Sequence, residues 1–127
     1  MSDAPVVLIV DDNALNLQLL SFLLAAHGYE IRTAADASGA QRVLDDVRPS
    51  VILMDVCLPG TDGLTFTRKL KADPRTRDIP VVAVTASAMK GDEEAARAAG
   101  CDDYVTKPID TRAFPGRLER LLTARRA

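Results

Sequence analysis

Val6-Val7-Leu8-Ile9-Val10-Asp11-Asp12 sets five aliphatic residues directly ahead of two carboxylates. The aliphatic run has strand length and no polar alternation. Such a run suits a strand buried on both faces, as in a parallel sheet. Similar runs recur at Val51-Ile52-Leu53-Met54 and Val81-Val82-Ala83-Val84. Weaker strand candidates are Glu30-Ile31-Arg32-Thr33 and Asp103-Tyr104-Val105. Between them the apolar residues take a helical period, at Ala14 to Ala26, Ala37 to Val47, Gly63 to Ala72, Lys90 to Ala99 and Arg117 to Ala124. Five alternations of strand and helix predict an α/β domain, a parallel sheet with helices on both sides.

The punctuation agrees. Gly28 and Gly100 follow helices, where a left-handed cap is needed. Pro49, Pro59, Pro74 and Pro80 fall between elements. Pro115 predicts a turn over Thr111 to Phe114 and a last helix that begins at the proline itself. There is no repeat, low-complexity stretch or linker. The 127 residues are therefore expected to form one domain, residues 1–127, long enough to fold without staples.

Composition narrows the function classes. The formal net charge is −2, with both signs interspersed, so there is no electrostatic footprint for direct binding of nucleic acid. No apolar run approaches the ~20 residues of a membrane span. The N-terminus lacks the basic flank of a signal peptide. Cys57 and Cys101 have no metal-ligand spacing and read as free thiols. A cytoplasmic location is the expectation.

Ligands of an open parallel sheet sit outside the carboxyl ends of its strands. The first strand ends in Asp11-Asp12, the third in Asp55 and the fourth in Thr85, while Lys107-Pro108 follows the fifth. Three carboxylates on one edge repel: a like-charge pair ~4 Å apart costs about 4 kcal/mol at an effective dielectric of about 20. Either one carboxyl keeps its proton or a hard divalent cation binds. An all-oxygen set with few protein ligands suits Mg²⁺ better than Zn²⁺. Helix capping would account for one of the aspartates, not for three at separate strand ends.

Asp11-Asp12, Asp55 within Leu53-Met54-Asp55-Val56-Cys57-Leu58-Pro59-Gly60, Val84-Thr85-Ala86 and Lys107-Pro108 together resemble the response regulator receiver domain of the CheY-like superfamily. The likeness spans essentially the whole chain, in order. It implies a five-stranded parallel sheet of order 2-1-3-4-5 with five flanking helices. It implies that Asp55 accepts a phosphoryl group, that Asp11, Asp12, Asp55 and the Cys57 backbone carbonyl hold Mg²⁺, and that Lys107 and Thr85 contact phosphoryl oxygens. Before transfer, Lys107 would pair with Asp55. The Lys107-Pro108 peptide would be cis. Thr85 and Tyr104 would form the conformational switch, with output through the fourth helix, fifth strand and fifth helix near Lys90, Tyr104 and Arg112. Partners would be a sensor histidine kinase or histidine phosphotransfer protein and a downstream protein target. The chain catalyses only its own phosphorylation and dephosphorylation on this reading. Cys57 and Ser87 would shape water access to the aspartyl phosphate. The stretches around Met89-Lys90 and Cys101-Asp102 are similar both to stand-alone DivK-type regulators and to receivers of hybrid kinases, and the Met1 start favours the stand-alone form.

The first helix carries two apolar stripes nearly opposite each other, Leu15, Leu19, Phe22 and Ala26 against Leu17, Leu20 and Leu24. One exceeds what a core needs. The surplus, Leu15 first, is expected to dock a four-helix phosphotransfer partner. His27 at the end of that helix suits the dipole and gets no catalytic role.

Three rivals compete. An aspartate-nucleophile phosphatase of the haloacid dehalogenase type needs an acid two residues past the nucleophile, where Cys57 stands. A flavodoxin-like FMN module needs a phosphate loop after strand one, where Asp11-Asp12 would repel the ligand. A phosphorylation-independent pseudo-receiver does not require the complete residue set.

Overall fold

A computed structural model describes residues 4–56, 58, 60, 62–85, 92–107 and 109–126, the side chains of 92, 125 and 126 excepted. Strand and helix alternate as β1 (Val6–Val10), α1 (Ala14–Ala25), β2 (Glu30–Ala34), α2 (Ala37–Asp46), β3 (Val51–Asp55), α3 (Gly63–Ala72), β4 (Val81–Thr85), α4 (Asp92–Ala98), β5 (Asp103–Thr106) and α5 (Phe114–Arg126). The strands pair in parallel in the order β2-β1-β3-β4-β5. This is the expected flavodoxin-like, CheY-like order.

The continuous aliphatic runs still obey a period of two. Val7, Ile9, Val51, Leu53, Val82, Val84 and Val105 point to one side and pack against Leu20 and Leu24 of α1 and Phe114, Leu118 and Leu122 of α5. Leu8, Val10, Ile52, Met54, Val81, Ala83 and Tyr104 point to the other, against Ala40 of α2, Phe66 and Leu70 of α3 and Ala96 of α4. Two cores on one sheet explain why every residue of β3 and β4 is buried. Asp55 and Thr85 are the last residues of those strands, so the registry that buries the aliphatics also carries them to one edge.

Element ends moved by a residue or two. The last helix starts at Phe114 rather than Pro115, after a turn that Asp110 closes: its carboxylate accepts from the N–H groups of Arg112 and Ala113 at 3.0 and 3.2 Å, and its carbonyl from the Phe114 N–H at 2.9 Å. Pro115 lies in the first turn, where its missing N–H has no helical partner to lose. Gly28 and Gly100 take the expected positive φ, 92° and 107°. The ring Nδ1 of His27 lies 3.0 Å from the Leu23 carbonyl, beside the helix end.

Candidate functional site

Asp11 leaves β1 with its backbone fixed, its N–H donating to the Ala34 carbonyl at 3.0 Å. Neither Asp11 nor Asp12 caps α1. Asn13 does, its side chain accepting from the Asn16 N–H at 3.1 Å. The capping account of the paired aspartates therefore fails. Asp11 is instead surrounded by donors: the Asn13 N–H to Oδ1 at 2.9 Å, and the Asn16 amide to Oδ2 at 3.4 Å.

Carboxylate oxygens of Asp11, Asp12 and Asp55 all lie within 4.8 Å of one another. Asp11 and Asp55 are buried, at 2% and 5% exposure, and Asp12 opens to solvent. Packed hard oxygens with one solvent-facing member fit a cation that keeps several waters, which is the habit of Mg²⁺.

Lys107 enters from the end of β5, where its N–H donates to the Thr85 carbonyl at 2.7 Å. Its ammonium donates to Asp11 Oδ2 at 3.1 Å and stands 3.5 Å from Asp55 Oδ2. The expected Lys107–Asp55 pairing is present, but Asp11 is the nearer partner. Partial burial alone would pull the ammonium down. The hydrogen bond to Asp11 and the charges of Asp55 and Asp11 outweigh that and hold it above its ordinary value. Thr85 is buried at the same edge.

Other residues that sequence reasoning singled out lie further off or outside the described region. Tyr104 is buried on the α4 side of the sheet. Leu15, Leu19 and Phe22 form an exposed stripe, at 71%, 51% and 79%, while Leu17, Leu20 and Leu24 face the sheet. A small cleft beside that stripe is lined by Asn16, Leu19, Leu20, Lys107, Ile109 and Thr111. Cys57, Ser87, Lys90 and Pro108, with the Cys57 carbonyl and the cis peptide, lie outside the described residues.

Sequence reasoning missed Gly63. A side-chain carbon there would collide with the Asp55 carbonyl, so only glycine lets α3 start against the end of β3. Its N–H donates to the Val56 carbonyl at 2.9 Å. The contact is tertiary, and a glycine behind the N-cap Asp62 carries no local mark of it.

Residues 7–119 match the model of the response regulator receiver domain. The chain belongs to that family. It is 47% identical over 108 residues to the polar-differentiation response regulator DivK of Brucella anthropi, covering 85% of this chain and 88% of that one. It is similar to a response regulator structure from Chloroflexus aurantiacus at 31% identity and a TM-score of 0.89, over 95% of this chain and 99% of the other. It is also similar to the receiver domain of a sensor histidine kinase from Pseudomonas aeruginosa, at 34% identity and a TM-score of 0.86, over 94% and 98%. That structure has a magnesium ion coordinated in its active-site cleft. The protein is thus a receiver domain of two-component, phosphorylation-based signalling, in a family where a phosphorylated aspartate and Mg²⁺ are typical. Receiver domains are signalling modules rather than enzymes in the ordinary sense. Among the described residues, no helix is long and apolar enough to cross a membrane.

Proposed function

We propose that Asp55 is the phosphoryl acceptor of a cytoplasmic response regulator fed by a phosphohistidine. The observation that carries this reading is the meeting of Asp11, Asp12 and Asp55 within 4.8 Å, with the Lys107 ammonium 3.5 Å from Asp55. An Asp55 carboxylate oxygen bonds to phosphorus as the phosphorus–nitrogen bond breaks. The electron pair returns to the imidazole nitrogen, which takes up a proton. Asp11, Asp12, Asp55 and the Cys57 carbonyl would hold Mg²⁺. The cation would supply the positive charge that offsets the transferring oxygens. Lys107, freed from Asp11, pairs with one phosphoryl oxygen, and the Thr85 hydroxyl donates to another. Little covalent machinery is required, because phosphoryl transfer is mostly positioning and charge stabilisation.

Thr85 and Tyr104 form the switch. The two residues stand on paired strands, and the hydroxyl and the ring move together when the phosphoryl group draws Thr85 toward it. A downstream protein reads the α4, β5 and α5 face, and the donor docks on Leu15 and its exposed stripe. Three solvent-facing apolar side chains in one row on the helix support this docking site.

Intact-mass measurement after incubation with acetyl phosphate and Mg²⁺ tests the reading. One phosphoryl group should be gained, and lost with EDTA or in Asp55→Asn. No gain, where a known receiver is modified, overturns it. Leu15→Asp should keep labelling by acetyl phosphate and lose transfer from the cognate phosphohistidine protein.

A further inference from the structure

Both backbone polar groups of Tyr104 are engaged by one ion pair. Its N–H donates to Asp103 Oδ1 at 2.8 Å, and its carbonyl accepts from Arg117 Nη2 at 3.0 Å. The same guanidinium forks onto the Asp103 carboxylate, Nε to Oδ2 at 2.7 Å and Nη2 to Oδ1 at 2.6 Å. Arg97 of α4 reaches Asp103 from the other side at 3.9 Å while pairing with Glu93 at 3.1 Å. Asp103 thus ties α4, β5 and α5 together one residue from the switch aromatic.

Exposed ion pairs usually contribute little, and the Arg117 side chain is half-exposed. This pair differs in two respects. It is bidentate, the geometry in which an arginine–carboxylate pair is strongest. It also spends a third donor on the backbone of an edge strand, since β5 stands at the end of the sheet beside β4. Peptides on an edge have a side without a neighbouring strand and can tilt. Side-chain rotamers follow backbone φ and ψ, so fixing the peptides on both sides of the Tyr104 Cα restricts where its ring can turn. Small residues, Ala83 and Ala96, share the ring's side of the sheet.

The geometry points to Arg117 as a positioning residue for the switch: its fork onto Asp103 and the Tyr104 carbonyl fastens α5 to β5 and holds the Tyr104 ring inside. The position of α5 and the state of the ring are then one variable, which a partner on this face can read. The inference rests on Tyr104 being the switch aromatic, as proposed above.

The full chain carrying 3-fluorotyrosine tests it, with Tyr29→Phe assigning the two ¹⁹F signals. With beryllofluoride and Mg²⁺, wild type should show one buried Tyr104 environment. Arg117→Met should add a solvent-exposed one, and Arg117→Lys, which keeps a charge without the fork, should fall between. Asp103→Asn serves as the second variant should Arg117→Met fold poorly. Affinity for beryllofluoride with Mg²⁺ should fall about tenfold in the same variants, within the usual range of coupling between sites. A lowered melting temperature with the Tyr104 signal unmoved would make Arg117 merely structural and overturn the inference. If the variants expose Tyr104 but even wild type binds no beryllofluoride, the fork stands and the phosphoryl reading falls.

Discussion

Two lysines sit at the two ends of the sheet, each about one-fifth exposed, and each meets aspartate. At the amino end of β4, Lys71 donates to Asp102 Oδ2 at 3.1 Å and to the carbonyls of Ile79 and Arg77 at 2.8 and 3.2 Å. All three of its protons are used, and one ammonium meets one carboxylate. Asp102 also accepts from the Val81 N–H at 2.9 Å, which pins the start of β4. Gly100 closes over the lysine stem, where a side-chain carbon would stand 2.7 Å from Lys71 Cγ. At the carboxyl end, the Lys107 ammonium faces Asp11 and Asp55 with Asp12 beside them, so among the described residues three carboxylates gather about one ammonium. The same chemistry is balanced at one end and unbalanced at the other. Balance makes a joint. Imbalance, held in place by a buried sheet edge, makes a site that gains when a cation arrives.

The largest test of that contrast removes the balanced lysine. Lys71→Met takes the Lys71 ammonium from Asp102 and this donor from two carbonyls. Urea unfolding should show a loss of about 2 kcal/mol, below the full cost of breaking a wholly buried pair because both groups are partly wet. The stabilisation by added Mg²⁺ should not change. An altered Mg²⁺ response in this variant would mean that the two ends are not independent.

The opposite sign is expected at the other end. Asp55→Asn removes one charge from a cluster that holds too many of one sign. In EDTA its unfolding free energy should rise by about 1 kcal/mol, because the ~4 kcal/mol of one like-charge contact at an effective dielectric of about 20 is largely offset by the lost attraction between Asp55 and Lys107. With Mg²⁺ the order should reverse, because wild type gains the linkage free energy of cation binding and the variant gains less. A variant less stable than wild type in EDTA would show that Lys107 already balances the cluster.

How far these contrasts can be read from the sequence depends on which residues are neighbours along the chain. Asp55 and Thr85 end aliphatic runs, so strand registry alone puts them at the carboxyl edge, and Asp11 follows the first run in the same way. The balanced end leaves no such trace. Lys71 and Asp102 are 31 residues apart and belong to α3 and the turn before β5. Helix α1 carries two apolar stripes of like composition, and only the family resemblance singles out that of Leu15 as the exposed one. That choice is made by Val7, Ile9 and Leu53, which receive Leu20 and Leu24 and leave Leu15 and Phe22 outside. The cap of α1 fell to Asn13, and this could not be chosen among three adjacent capping residues by type alone. The nearer partner of Lys107, Asp11 rather than Asp55, is set by where the chain leaves β5, a matter of tenths of an ångström.

The smallest effect concerns pH and bears on Lys107 alone. Its folded-state pKa is raised above 10.5, since Asp11 and Asp55 favour the charged form more than burial opposes it. A raised lysine contributes stability that is fully present below its unfolded pKa and is lost as pH climbs through the higher folded value. In EDTA, then, the stability difference between wild type and Lys107→Met should hold constant from neutral pH to the unfolded lysine pKa, about 10.4. Above that it should shrink. Taking the difference cancels the tyrosines and other lysines that titrate in the same range in both proteins. With Mg²⁺ present the cation takes over the carboxylates, so the difference should be smaller throughout and its alkaline decline flatter. A gap that closes near neutral pH would mean that Lys107 deprotonates in the folded site, and that its bond to Asp11 is not the charge-assisted contact that separates this end of the sheet from the other.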